Sequence, residues 1–346
     1  MRRLGKTLGR LALLLIAAGA AFWFLAPREA AIRGAPFAGD LSDPAGYLAT
    51  REAAISGITP GTQARIVWAG QAGATTPLSI LYLHGFSATS EEIRPVPDNV
   101  ATALDANLVF ARLRGHGRDG AALARARAGD WIDDTAEALA VARAVGDRVL
   151  ILSTSTGGTL SVIAATEPDM ARDVLGLAMV SPNFALVNPA AALLEFPLAR
   201  HWVPWLVGAE RSFEDHATYW TTRYPSSAGV TLGTLMAEAN ARDYSGADLP
   251  ALFLFSDADR VVSAAATRTF AQGWRGPVTL VPLDLPEDGA DPLAQGWRGP
   301  VTLVPLDLPE AGADPFAHVI AGDILSPAMT ERVTDEIVTW ARGLQD

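Results

Sequence analysis

The residues able to do chemistry in this chain fall at the ends of apolar runs. The sharpest stretch is 149–158, where Val-Leu-Ile-Leu leads into Ser153-Thr154-Ser155-Thr156-Gly157-Gly158. A strand turning sharply into a helix presents a serine such as Ser155 at its apex, provided the residues two before and two after it are small. Gly157 meets that condition, and Ser153 stands where the usual pattern has glycine. The amide end of the following helix would favour negative charge developing there. An ordinary Ser/Thr-rich helix cap is the plainer alternative for the same residues.

Three further segments carry groups that such a serine would need. Leu81-Tyr-Leu-His84-Gly85-Phe86-Ser87 ends another apolar run, and its turn would free backbone N–H groups beside the serine, half of an oxyanion site. A structural role for His84 is the competing reading. The segment 251–262 ends an apolar run in Ser-Asp257-Ala-Asp259-Arg-Val-Val262, where a carboxylate can orient an imidazole. Asp259 is the first choice because the following apolar pair would pin its loop, and Asp257 is the alternative. Asp314-Pro-Phe-Ala-His318 follows the last apolar run. Of five histidines, His84 and His116 precede the serine, and His201 and His216 lie in a non-strand stretch. Only His318 completes the order serine, acid, histidine. Arg114-Gly115-His116-Gly117 reads as a tight structural turn.

The elements that must position these groups alternate. Apolar, β-branched runs at 63–69, 78–83, 108–113, 149–153, 175–181, 251–255 and 278–283 read as strands, with helical patterns at 131–145 and 157–165 among them. That alternation predicts βαβ units and a mostly parallel sheet. It breaks between 184 and 249, an aromatic- and proline-rich stretch that reads as helices without a strand, inserted between two sheet strands. Its aromatic residues include Phe196, His201, Trp202, Trp205, Phe213, Tyr219, Trp220 and Tyr224. They either line an apolar ligand pocket or form the insertion's own core; Trp202, Trp205 and Trp220 are the substrate-binding candidates.

His84-Gly85-Phe86, Ser153-Thr-Ser155-Thr-Gly157, Asp259 and His318 together resemble the α/β-hydrolase superfamily. The likeness is greatest to capped serine esterases, monoacylglycerol lipase-like and serine aminopeptidase-like hydrolases, and it covers roughly residues 60–345. It implies an eight-stranded, mostly parallel sheet flanked by helices, with a helical cap after the sixth strand. It also implies Ser155 as nucleophile, His318 as base, Asp259 as orienting acid, and an oxyanion hole from the N–H groups of Phe86 and Thr156. The expected reaction is hydrolysis of a small-molecule carboxylic ester, lipid-like or medium-chain, through an acyl-enzyme. A serine aminopeptidase or amidase, an acyl transfer to an acceptor other than water, and an inactive membrane-tethered binding protein are the alternatives. No metal or cofactor is implied.

A tandem repeat complicates this plan. Segments 271–293 and 294–316 match at 21 of 23 positions, differing at Asp288/Ala311 and Leu293/Phe316. A solenoid needs at least three stacked units, so this is a local duplication. His318 reaches the serine's end of the sheet only if one copy is extruded or both form parallel strands joined by a crossover.

Composition bounds the rest. Across 346 residues, 49% are hydrophobic and 19% charged, which supports a large buried core. Residues 1–33 hold six basic side chains and one acid, leaving 21 basic against 37 acidic in the body. Such a body repels nucleic-acid phosphates, so nucleic acid is not an expected partner. The absence of cysteine excludes disulfides, thiolate sites and a lipoprotein anchor. Four basic residues followed by the uncharged run 11–26 predict an N-terminal signal anchor over 1–33. The body would then be held at a membrane on the exported side, or secreted if the segment is cleaved. The expected organisation is core over 34–185, cap over 186–248 and core again over 249–346.

Overall fold

The computed structural model describes residues 2–213, 218–283, 301–303 and 311–345. In chain order the elements begin with α1 (Arg2–Leu25), α2 (Pro44–Ala53), β1 (Arg65–Val67), β2 (Thr76–Leu83), α3 (Val96–Ala103) and β3 (Asn107–Phe110). Next come α4 (Gly120–Arg125), α5 (Ala128–Val145), β4 (Gly146–Thr154), α6 (Thr156–Thr166), α7 (Pro168–Ala171) and β5 (Val174–Val180). A 3₁₀ turn (Pro189–Glu195), α8 (Ala199–Val207), β6 (Glu210–Ser212), β7 (Arg223–Pro225) and α9 (Ala228–Ala241) follow. The chain finishes with β8 (Ala251–Ser256), α10 (Ala264–Gly273), β9 (Val278–Leu283), β10 (Val301–Leu303) and α11 (Thr330–Arg342).

Eight strands form one sheet in the order β1-β3-β2-β4-β5-β8-β9-β10. Only β1 runs antiparallel to its neighbour. The central strands read as unbroken apolar runs because helices cover both faces. Alternation along them still sorts the side chains. Leu81, Leu83, Ile151 and Phe253 pack toward α5 and α6, whereas Ile80, Tyr82, Leu150 and Leu254 pack toward α3 and α11.

Several expectations need correction. The insertion follows the fifth sheet strand in chain order rather than the sixth, because the N-terminal part contributes one strand fewer. It is not purely helical: β6 and β7 pair as a short antiparallel ribbon. The eighth strand comes from the repeat. Val301–Leu303 in the second copy pairs parallel to β9, with Val301 opposite Val278, its own counterpart in the first copy. The segment that joins β9 to β10 lies outside the described residues, as does His216.

The N-terminal helix forms where the sequence placed it, over Arg2–Leu25. Among the described residues no helix is long and apolar enough to cross a membrane. Beyond α1 the chain runs along the body. Pro27 accepts a hydrogen bond from the Leu198 amide (3.0 Å), and Glu29 pairs with Arg200. The Gly34 amide donates to Asp133 (2.6 Å).

Candidate active site

The site is built at the C-terminal end of the parallel strands. β4 ends at Thr154 and α6 begins at Thr156, so Ser155 alone makes the turn, with φ 51° and ψ −113°. Positive φ in a non-glycine residue costs about 1–3 kcal/mol and persists only where the surroundings enforce it. They do so here. The Ser155 amide donates to the Val180 carbonyl (2.9 Å), and the Ser155 carbonyl accepts from Gly158 and Asn183. A Cβ at Gly157 would lie 2.1 Å from the Leu83 carbonyl oxygen, so helix and strand approach this closely only over glycine. Ser153 is buried, its Oγ 3.5 Å from the Ala178 carbonyl oxygen, and the turn accommodates it.

Ser155, His318 and Asp259 form one hydrogen-bonded chain. Ser155 Oγ lies 3.1 Å from His318 Nε2, and His318 Nδ1 lies 2.8 Å from Asp259 Oδ2. The carboxylate accepts a hydrogen bond from Nδ1–H, which leaves Nε2 as the acceptor facing the serine. Asp259 is fixed by its own loop, since Oδ1 accepts the amides of Val261 (2.7 Å) and Val262 (2.9 Å). Asp257, the alternative acid, is held by Arg268. The loop carrying His318 is organised by Asp314, whose carboxylate accepts the amides of Phe316, His318 and Val319. Burial alone would depress the His318 imidazole. The hydrogen bond and charge of Asp259, with Glu92 and Asp314, outweigh it and raise the pKa.

Phe86 follows the β2 turn, and its N–H has no backbone acceptor among the described residues. Thr156 is the first residue of α6, where an amide lacks an intrahelical acceptor. The insertion is tied to this turn: the Thr221 amide donates to the Ser87 carbonyl at 2.7 Å. His84 belongs to the scaffold. Its Nδ1–H donates to the Gly85 carbonyl and its Nε2 accepts the Leu113 amide. Burial lowers its pKa to about 4, so it is neutral. Gly115 and Gly117, with φ of 86° and 65°, make the tight turn expected around His116.

A cavity of about 440 Å³ opens on Ser155 and His318. Phe86, Leu186, Phe213, Trp220, Tyr224, Leu232, Val261 and Phe316 supply most of its apolar wall. A second cavity of about 280 Å³ shares Phe86, Leu186, Tyr224, Leu232 and Val261 with the first and continues beneath α8. Of the three tryptophans expected to bind substrate, only Trp220 lines this space. Trp202 packs in the insertion's own small core and donates its Nε1–H to the Pro197 carbonyl. Trp205 is 93% exposed, because it lies on the outer face of α8. Leu186, Leu232 and Glu92 were not legible as site residues. Nothing in their spacing distinguishes them from core positions or a turn acid.

A helix-covered parallel sheet that bends at a strained serine, with a histidine and an acid arriving from later strand ends, defines the α/β-hydrolase class. The chain belongs to the serine aminopeptidase S33 family, whose match spans residues 77–279. It is 24% identical over 197 residues to a thermostable monoacylglycerol lipase of Bacillus sp. (strain H-257), covering 57% of this chain and 76% of that protein. A structure from work on the metagenome-derived lipolytic enzymes LipS and LipT aligns with TM-score 0.60 and 19% identity, over 83% of this chain and 99% of that one. A soluble variant of the monoglyceride lipase of Saccharomyces cerevisiae aligns with TM-score 0.55 and 11% identity, over 82% and 91% of the two chains. By family and fold this is a hydrolase of the lipase- and esterase-like kind.

Proposed function

We propose that this chain is a serine esterase acting on carboxylic esters with a medium-length or lipid-like acyl group. The observation that carries the reading is the Ser155–His318–Asp259 chain opening into a mainly apolar cavity. His318 takes the Ser155 proton as Oγ attacks the ester carbonyl, and the imidazolium is steadied by Asp259. The Phe86 and Thr156 amides receive the oxyanion. His318 then protonates the departing alcohol, and water, deprotonated by the same histidine, releases the acid. The acyl chain occupies the two adjoining cavities, whose walls offer it apolar contact. The monoacylglycerol lipase relative supports an ester over an amide.

The test is turnover of p-nitrophenyl esters from acetate to dodecanoate, beside matching anilides, by wild type and Ser155→Ala. The variant should lose on the order of 10³-fold or more in kcat at an unchanged melting temperature. Retained activity, or faster anilide cleavage, would sink the proposal. We further propose that the basic and apolar segment 1–26 directs export of the body, by the chemistry of a secretory signal. Cell fractionation with sequencing of the mature N-terminus tests this; an intact chain confined to the cytoplasm contradicts it.

A further inference from the structure

The cavity wall contains a buried acid that the Ser155–His318–Asp259 chain does not use. Glu92 is 3% exposed and lies in the turn after β2. Its Oε2 accepts the Gly85 amide at 2.7 Å and the Tyr82 hydroxyl at 3.3 Å. Tyr82 in turn lies 3.0 Å from Thr154 Oγ1, one residue before the serine. A Cβ at Gly85 would fall 2.6 Å from Glu92 Oε1 and 3.2 Å from Ser155 Cβ, so carboxylate and serine are packed on the same glycine. Oε1 has no hydrogen-bond partner among the described residues.

The same turn is also tied to the histidine loop. At Gly322, four residues after His318, a Cβ would lie 2.5 Å from Ile93 Cα, and the Asp323 amide donates to the Arg94 carbonyl at 2.9 Å. The turn bearing Glu92 therefore joins the strand end carrying Phe86 to the segment continuing from His318.

The surrounding charges isolate Glu92 with His318. Its neighbour Glu91 is paired with Arg65 and Arg94, and Arg94 also with Asp98. From β2 it faces the Tyr82 hydroxyl, and from the histidine loop His318; Asp314 in that loop is committed to backbone amides. Burial pushes the Glu92 carboxyl up to about 7, against the opposing pull of the Gly85 amide, His318 and Tyr82.

We propose that Glu92 is a positioning residue of the hydrolytic site, which fixes the Phe86 turn through Gly85 and lends His318 a second negative charge beside that of Asp259. The inference rests on the esterase reading above. Its consequence appears in the pH profile. His318 must be neutral to accept the serine proton, and a nearby carboxylate favours its protonated form. Removing that charge lets His318 shed its proton at lower pH, so the acid limb moves down. Glu92→Gln keeps the shape and an acceptor for Gly85 while removing the charge. Glu92→Ala leaves the buried Gly85 amide without a partner.

The experiment measures kcat/KM for a soluble ester and the rate of fluorophosphonate labelling between pH 5 and 9, each profile normalised to its own plateau. Near pH 7, where the wild-type carboxyl is partly ionised, Glu92→Gln should retain a fraction of its plateau about twofold larger than wild type does, the two profiles converging toward pH 5.5 where that carboxyl is protonated. Glu92→Ala should lower the plateau through kcat by about tenfold or more, and Glu92→Gln should recover much of that loss. A Glu92→Gln profile superimposable on wild type overturns the inference and leaves the esterase reading intact. Wild type that never labels at Ser155 overturns both. Should Glu92→Ala fail to fold, the Glu92→Gln profile decides alone.

Discussion

His318 Nε2 lies 3.1 Å from Ser155 Oγ across 163 residues of chain, although a second copy of a strand-forming segment intervenes before the histidine. The contact survives because β10 runs parallel to β9 in matched register. The chain therefore leaves both strands at the serine's end of the sheet, whereas an antiparallel second copy would have delivered His318 to the opposite end.

The first copy should accordingly be dispensable. It supplies the end of α10, the Trp274 indole that donates to the Leu249 carbonyl, and β9. Deleting 271–293 brings up identical residues at each of those positions and leaves 311–318 untouched. Activity within severalfold of wild type and a cooperative thermal transition are expected. Deleting 294–316 instead places Leu293 where Phe316 lines the cavity, so KM should change more than kcat. Unfolding of the 271–293 deletion would show that β10 cannot replace β9.

Asp259→Asn isolates the acid's contribution. An amide can still accept from Val261 and Val262 but no longer holds the proton on His318 Nδ1 as a charged acceptor does. The expected loss in kcat is about 10³- to 10⁴-fold, with the melting temperature little changed. A loss below tenfold, measured on the same ester, would assign the orienting role elsewhere.

How much of this was legible depended on where the chemistry met a backbone constraint. Ser155, Asp259 and His318 each follow an apolar run, and their order in the chain narrowed the choice. Gly157 is demanded by a 2.1 Å approach to Leu83, a constraint that residue type alone discloses. Side-chain direction on the insertion was not legible. Trp205 and Trp220 are alike in sequence, yet one is 93% exposed and the other lines the cavity, because the orientation of α8 and of the β6–β7 ribbon is set by tertiary packing. Glu92 was hidden for the same reason: an acid in a polar turn ordinarily points to solvent.

The buried histidines should make the fold acid-sensitive. Among the described residues His116 Nε2 has no hydrogen-bond partner, and burial followed by the nearby His84 holds the His116 pKa well below its ordinary value. A depressed imidazole gives stability that is present above the unfolded value near 6.5 and lost as pH falls toward the folded one. His116→Phe, which suits the ring cluster of Phe86 and Trp131, should narrow the drop in melting temperature between pH 7.5 and pH 5. Glu92 and Asp134, raised by burial to about 7 and about 6, act in the opposite sense in both proteins and cancel in the comparison. An undiminished drop in the variant would exclude His116 as an acid-labile group.

Leu232 should set acyl length. It is 6% exposed and belongs to the walls of both cavities, at the passage where Phe86, Leu186, Tyr224 and Val261 also converge. A short acyl chain needs only the cavity at Ser155, whereas a longer one must pass Leu232 into the space beneath α8. Leu232→Phe adds bulk at that passage without touching the Ser155–His318–Asp259 chain. Each methylene excluded from apolar contact forfeits about 0.8 kcal/mol, and 1.36 kcal/mol is tenfold in rate. Losing two or three methylenes should therefore lower kcat/KM for a decanoate ester by roughly tenfold or more, while the butyrate ester loses far less. Parallel losses on both esters would mean that the chain takes another route, along the outer wall formed by Phe213 and Phe316.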